Sequence, residues 1–123
     1  DIVTLHCPLT EETRGMVDAE LLASMKQSAL LINTARGPIV DSKALAEALN
    51  TGKIAGAGVD VYENEPPITQ THPLLQAKNC ITTPHVAFAS AESMIKRAEI
   101  AFGNVDAYLA GEPRNVKIAV NHK

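Results

Sequence analysis

Residues 29–61 read ALLINTARGPIVDSKALAEALNTGKIAGAGVDV, and this stretch decides the fold. Ala29-Leu30-Leu31-Ile32-Asn33 is a short apolar run of strand length, the pattern of a buried strand. Thr34 to Pro38 is a loop containing Gly37. Asp41 stands as an N-cap, with Val40 and Leu45 placed to close a hydrophobic staple across it. The helix runs through Leu49, and Gly52 sits where a C′ residue would close it. Ile54 to Val61 is strand again, and its Gly56 and Gly58 mean that something packs close against it. Strand, helix and strand in that order predict a right-handed crossover and a parallel sheet.

The same pattern extends outward on both sides. Ile2 to Leu5 is a short β-branched run, ended by His6-Cys7-Pro8. Thr10 to Gly15 is polar loop, and Asp18 then caps a helix to about Met25, with Val17 and Leu22 as its staple. Beyond Val61 lies a long loop, Tyr62 to Lys78, carrying Pro66-Pro67 and a short turn after Pro73. Cys80 to Thr83 is a fourth strand, stopped by Pro84. Ser90 caps the longest helix, to about Ala110, with Met94, Ala98, Ala101, Val105 and Leu109 as one apolar stripe. Gly111 and Pro113 end it, and Arg114 to Lys123 form a tail without an assignable element. The class is α/β. Four strands are few for a sheet covered on both faces, and the chain opens inside an apolar run without an initiator Met. Both features read as a segment of something larger.

At 123 residues the chain is one domain or part of one. With 46% hydrophobic and 20% charged residues it is globular rather than disordered. A net charge of -3 leaves no basic surplus for a phosphate backbone, and 3% aromatic content offers few stacking platforms, so nucleic acid is not an expected partner. No apolar run is long enough to span a bilayer, so no membrane partner is expected. Asp1 to Leu5 lacks the pattern of a signal peptide. Cys7 and Cys80 form neither a metal cluster nor a disulfide framework, which predicts reduced thiols, no metal and a cytoplasmic location.

In an open parallel sheet, ligands bind outside the carboxyl ends of the strands. The residues that follow the four strands are therefore the informative ones. They are His6, Cys7 and Pro8; then Arg36; then Asp60 with Glu63 and Glu65; then His85. Arg presents a fixed fork that grips a carboxylate and keeps its charge. His exchanges a proton near neutrality, and a neighbouring carboxylate fixes its tautomer and favours its protonated form. One mechanism consistent with such a set, which is not specific by itself, binds a 2-oxo acid and protonates its ketone oxygen while a hydride arrives from elsewhere. Taken singly, Arg36, Glu65 and His85 each read as surface residues; the case rests on their co-location. His6 reads either as a hydrogen-bonded strand-end residue or as a cofactor neighbour, and Asp60 as a turn residue or a ligand group. His72 and His122 read as surface.

Four ordered motifs carry a resemblance. They are Leu5-His6-Cys7-Pro8-Leu9-Thr10, Ile32-Asn33-Thr34-Ala35-Arg36-Gly37, Gly58-Val59-Asp60-Val61-Tyr62 with Glu65-Pro66-Pro67, and Thr83-Pro84-His85. Together they resemble the second half of the D-isomer-specific 2-hydroxyacid dehydrogenases, over essentially the whole chain. The resemblance implies that residues 1–86 are the C-terminal half of a Rossmann-like, doubly wound parallel sheet that binds NAD. It implies that residues 87–123 are a long helix and tail returning toward a substrate domain absent from this chain. It makes Arg36 the substrate-carboxylate anchor, His85 the acid/base and Glu65 its partner. Cys7, Pro8, Thr34, Ala35, Arg36, Asp60, His85 and Ala87 would line the cofactor, with Asp60 holding the nicotinamide carboxamide.

Glu65 argues against the formate-oxidising branch, which resembles this one but carries Gln. His85-Val86-Ala87-Phe88-Ala89 departs from the His-x-Gly-Ala of the phosphoglycerate branch. It resembles the glycerate dehydrogenase (hydroxypyruvate reductase) branch more, although that branch typically has Trp where Phe88 stands. No G-x-G-x-x-G occurs, so the phosphate-binding turn, and the acidic residue that selects NAD over NADP, are expected upstream of Asp1. The chain alone is thus expected to bind dinucleotide weakly and to turn over nothing. It is also expected to self-associate through an unpaired sheet edge or apolar faces, the whole protein being a homodimer. The competing readings are a dehydrogenase-like, NAD-binding transcriptional corepressor and a structural dimerisation module.

Overall fold

The computed structural model describes residues 1–65 and 68–116. The strands are β1 (Ile2–Leu5), β2 (Leu30–Asn33), β3 (Gly56–Val59) and β4 (Cys80–Thr82); the helices are α1 (Ala19–Ser24), α2 (Ser42–Asn50) and α3 (Ala91–Leu109). Short 3-10 turns occupy Gly37–Ile39 and Pro73–Leu75. The strands lie side by side in chain order, and every neighbouring pair is parallel. Leu5 pairs with Asn33, Asn33 with Val59, and Val59 with Thr82. The carboxyl ends of all four strands therefore emerge together on one edge, as the alternation of elements predicts.

The chain divides into two compact units, residues 1–87 and 88–123. The core of the first joins Leu5, Leu31 and Val59 from the strands to Leu22 of α1 and to Leu45 and Leu49 of α2. Each large apolar side chain buried this way contributes roughly 1.5–3 kcal/mol. Both predicted caps form: Asp18 accepts from the N–H of Leu21 at 2.9 Å, and Asp41 accepts from those of Lys43 and Ala44 at 2.9 and 3.1 Å. Gly52 has φ +70°, and the N–H groups of Gly52 and Lys53 return to the carbonyls of Leu49 and Ala48, the Schellman closure expected of a glycine there.

Two features differ from the sequence reading. Val17 and Val40 each read as half of a separate staple. Both are buried with Leu22 and Leu45, and they also form a parallel bridge with one another, the Val17 N–H donating to Ile39 and the Asp41 N–H to Val17. The third strand is shorter than its apolar run. Ile54 and Val61 are buried but unladdered, because an apolar residue is retained by burial and not by pairing. The glycines behave as expected. A Cβ on Gly58 would stand 3.2 Å from the Ile32 side chain, and one on Gly56 3.1 Å from the Asn79 carbonyl.

In the second unit Ser90 caps α3 by accepting from the Ser93 N–H at 3.1 Å, and Gly111, at φ +77°, closes it. The predicted stripe of Met94, Ala98, Ala101, Val105 and Leu109 is exposed, and Ala107 is the one buried residue among those described in this unit. The end of the tail, with His122, lies outside the described residues. None of the described helices is long and apolar enough to cross a membrane.

Candidate active site

Asn33, the last residue of β2, is fully buried, and its side chain builds the loop that follows. Its Oδ1 accepts from the Ala35 N–H at 3.1 Å, and its Nδ2 donates to the Arg36 carbonyl at 3.0 Å. A buried amide must be satisfied, and here the partners are the backbone groups of the next three residues. Arg36 is thereby presented at the sheet edge with an extended backbone. One of its five N–H donors is used on the Ala35 carbonyl, at 2.6 Å. Arg36, Thr34 and Ala35 line a concavity of about 580 Å³ with His6, Cys7, Pro8 and Leu9. His6 is the hydrogen-bonded strand-end residue, bonded to the Thr4 hydroxyl at 2.9 Å, and it also lines this space.

The other pole of the edge is organised by Asp60, which directly follows β3 and is 2% exposed. Its carboxylate accepts from the Thr83 hydroxyl and from the Val86 and Ala87 N–H groups, both at 2.9 Å. Its carbonyl accepts from the His85 N–H at 2.8 Å. Burial pushes the Asp60 carboxyl upward, but the bonds from Thr83, Ala87 and Val86, with His85 nearby, outweigh it and hold it below its ordinary 3.8. The 83–87 turn is thus wrapped around one carboxylate. It carries His85 in the left-handed region, at φ +56°, where non-glycine residues are uncommon and tend to mark functional sites.

Glu65 meets that histidine directly. Its Oε2 lies 2.5 Å from His85 Nδ1, and its Oε1 accepts from the Tyr62 N–H at 2.6 Å. Glu65 and His85 border a second, smaller concavity of about 120 Å³, with Tyr62, Ile68 and Pro84. Arg36 and His85 therefore sit on the same edge, after β2 and β4 with one strand between. Those two strands are two spacings, roughly 10 Å, apart.

The structure brings Glu65 and His85 into contact and sets Arg36, Cys7, Pro8, Thr34 and Ala35 around the neighbouring space. Asp60 and Ala87 are joined to each other. Three residues escaped the sequence reading: Asn33, Tyr62 and Thr83. For Asn33 the signal was available, as a polar residue closing an apolar strand. For the Tyr62 and Thr83 hydroxyls the partners are 21 and 23 residues away, and no local pattern marks them. His72, read as surface, is instead bonded to Glu63 at 3.0 Å with its side chain 14% exposed. Among the described residues no group of three or more His, Cys, Asp or Glu could hold a metal ion.

Residues 1–87 match the family described as D-isomer specific 2-hydroxyacid dehydrogenase, NAD binding domain. The chain is 52% identical over 118 residues to a glycerate dehydrogenase of Methylorubrum extorquens, covering 94% of this chain and 37% of that protein. It is 47% identical over 116 residues to a hydroxypyruvate reductase of Blautia hydrogenotrophica, covering 94% and 36%. The fold is similar to that of a D-isomer specific 2-hydroxyacid dehydrogenase from Lactobacillus delbrueckii ssp. bulgaricus in its NAD-complexed form. There the TM-score is 0.83 at 36% identity, over 96% of this chain and 40% of that one. The chain spans little more than a third of the relatives it matches, and its four parallel strands are a Rossmann-like sheet. A parallel edge carrying Arg, Glu and His, a family match over residues 1–87 and relatives near 50% identity lead to one conclusion: this chain belongs to the D-isomer specific 2-hydroxyacid dehydrogenases.

Proposed function

We propose that the protein containing this chain transfers a hydride between NAD(H) and C2 of a small D-2-hydroxy acid or 2-oxo acid, with glycerate and hydroxypyruvate as the favoured pair. The contact between Glu65 and His85 on the same edge as Arg36 carries this reading. The nicotinamide supplies the hydride when bound. Cys7, Pro8, Thr34, Ala35, Arg36, Asp60, His85 and Ala87 would line the cofactor, with Asp60 holding the nicotinamide carboxamide. Arg36 pairs with the substrate carboxylate through its fork. Glu65 occupies Nδ1 of His85, so proton exchange falls to Nε2: the ketone oxygen is protonated during reduction, and the hydroxyl gives its proton back during oxidation. Residues 87–123 return toward a substrate domain supplied by the rest of the protein, and the working unit is a homodimer.

The test is NADH consumption by the full-length protein with hydroxypyruvate, glyoxylate and pyruvate. Turnover is expected, fastest with hydroxypyruvate. His85→Ala lowers kcat by about 100- to 10,000-fold, whereas Arg36→Ala mainly raises KM. No turnover of any 2-oxo acid with NADH or NADPH refutes the reading and favours a corepressor.

A further inference from the structure

Tyr62 is buried, 6% exposed, and contacts from all three parts of the site converge on it. Its N–H donates to Glu65 Oε1 at 2.6 Å, and its hydroxyl donates to the Thr83 carbonyl at 3.2 Å, two residues before His85. Its backbone lies against Gly37, the residue after Arg36, so closely that a Cβ on Gly37 would stand 2.0 Å from the Tyr62 carbonyl carbon. Its ring is met edge-on by His72, with centroids 5.4 Å apart and planes at 85°.

That histidine is itself held. Its Nδ1 accepts from the Leu74 N–H at 3.4 Å, so Nε2 is the nitrogen that donates to Glu63, at 3.0 Å. The Glu63 carboxylate also receives the Ser42 hydroxyl at the start of α2. A chain of contacts thus runs from α2 through Glu63 and His72 to the Tyr62 ring, and from Tyr62 to the loops of Arg36, Glu65 and His85.

We propose that Tyr62 is the positioning residue of this site. It sets where Glu65 stands against His85 and where the Arg36 loop stands beside them, and the Glu63–His72 pair braces its ring. The physical need is plain. Glu65 lies on a long loop, and an unanchored carboxylate there would spread over many rotamers. Proton transfer needs one of them, and misplacement by about 1 Å can cost as much as 100-fold. The kinetic consequence rests on the dehydrogenase reading; the positional one does not.

The test uses three variants of the full-length protein. Tyr62→Leu removes the ring edge and the hydroxyl but keeps the backbone donor. Tyr62→Phe removes the hydroxyl alone. His72→Asn keeps a side-chain acceptor for the Leu74 N–H and removes the brace. The expected loss in kcat is about tenfold for Tyr62→Leu and about threefold for each of the other two, with KM for the 2-oxo acid and Kd for NADH within about twofold of wild type. The second readout is the His85 ring N–H proton resonance by NMR. It is expected far downfield in wild type, absent in Glu65→Gln, and broadened in Tyr62→Leu and His72→Asn. Wild-type kcat together with an unchanged resonance overturns the proposal, as does a rise in KM equal to the fall in kcat. If Tyr62→Leu does not fold, the other two variants decide. If wild type turns over no 2-oxo acid, the functional reading falls and the resonance still decides the role of Tyr62.

Discussion

The 34–37 loop and the 83–87 turn both follow strands on one edge of the sheet, β2 and β4, yet they are built by different means. The first is held by Asn33, whose amide bonds reach no farther than Arg36. The second is held by Asp60, whose partners lie 23 to 27 residues later in the chain. One is a local device that forms with its own strand. The other exists only once β3 and β4 have paired, and it carries the backbone strain at His85. The difference teaches that the Arg36 end of this edge is held by a side chain three residues away, whereas the His85 end is held by one 23 to 27 residues away.

The largest effect is expected where the two regions meet. Gly37→Ala would drive a Cβ into the Tyr62 backbone, and backbone yields less readily than a side-chain tip. We expect a loss of about 3 kcal/mol in the full-length protein, read by chemical denaturation. A loss below about 0.5 kcal/mol would mean that the loop and Tyr62 are not rigidly joined.

Asp60→Ala separates the two regions. It removes the charged acceptor of the Val86 and Ala87 N–H groups, at about 1.5–3 kcal/mol in all. Amide exchange should accelerate at Val86 and Ala87 and stay slow at Ala35; equal acceleration at Ala35 would abolish the distinction between the regions. The same carboxylate sets an acid limit. The folded form holds the Asp60 carboxyl below 3.8 and that of Glu63 below 4.5. For Glu63 too, burial pushes upward and the bonds from Ser42 and His72 outweigh it. A depressed folded value stabilises above the unfolded one and is lost as pH falls. Stability should therefore be level above about pH 5 and decline below pH 4, and Asp60→Asn should flatten that decline.

Asn33→Ala is the local counterpart and the smallest of the three. The Ala35 N–H and the Arg36 carbonyl lose one partner each but lie near the surface, where water replaces it, so about 1 kcal/mol is expected. The informative readout is a rise in KM for the 2-oxo acid with kcat nearly unchanged. A fall in kcat as large as that of His85→Ala would show that the two ends are not independent.

Legibility in the sequence followed the same divide. Caps at Asp18 and Asp41, closures at Gly52 and Gly111, and the four strand cores were readable because each depends on residues a few positions apart. The edge that collects Arg36, Glu65 and His85 followed from strand order alone. The contact between Glu65 and His85 was expected from the resemblance, and the structure supplies its geometry. Tyr62 as a meeting point, Thr83 on Asp60, and His72 on Glu63 were not readable, since nothing near them in the chain marks a partner. Nor did the α3 stripe declare that it would be exposed in this chain; periodicity reports that a face is apolar, not what lies against it.

What the sequence determined by itself was a set of elements, their parallel order and the side chains delivered to one edge. These follow from period, capping and crossover rules that act over a handful of residues. Only the tertiary structure decided how those side chains are held. A buried carboxylate must be satisfied wherever its donors happen to lie, and for Asp60 they lie on another strand's turn. A glycine packed against a distant backbone is likewise a fact of packing that no local pattern encodes.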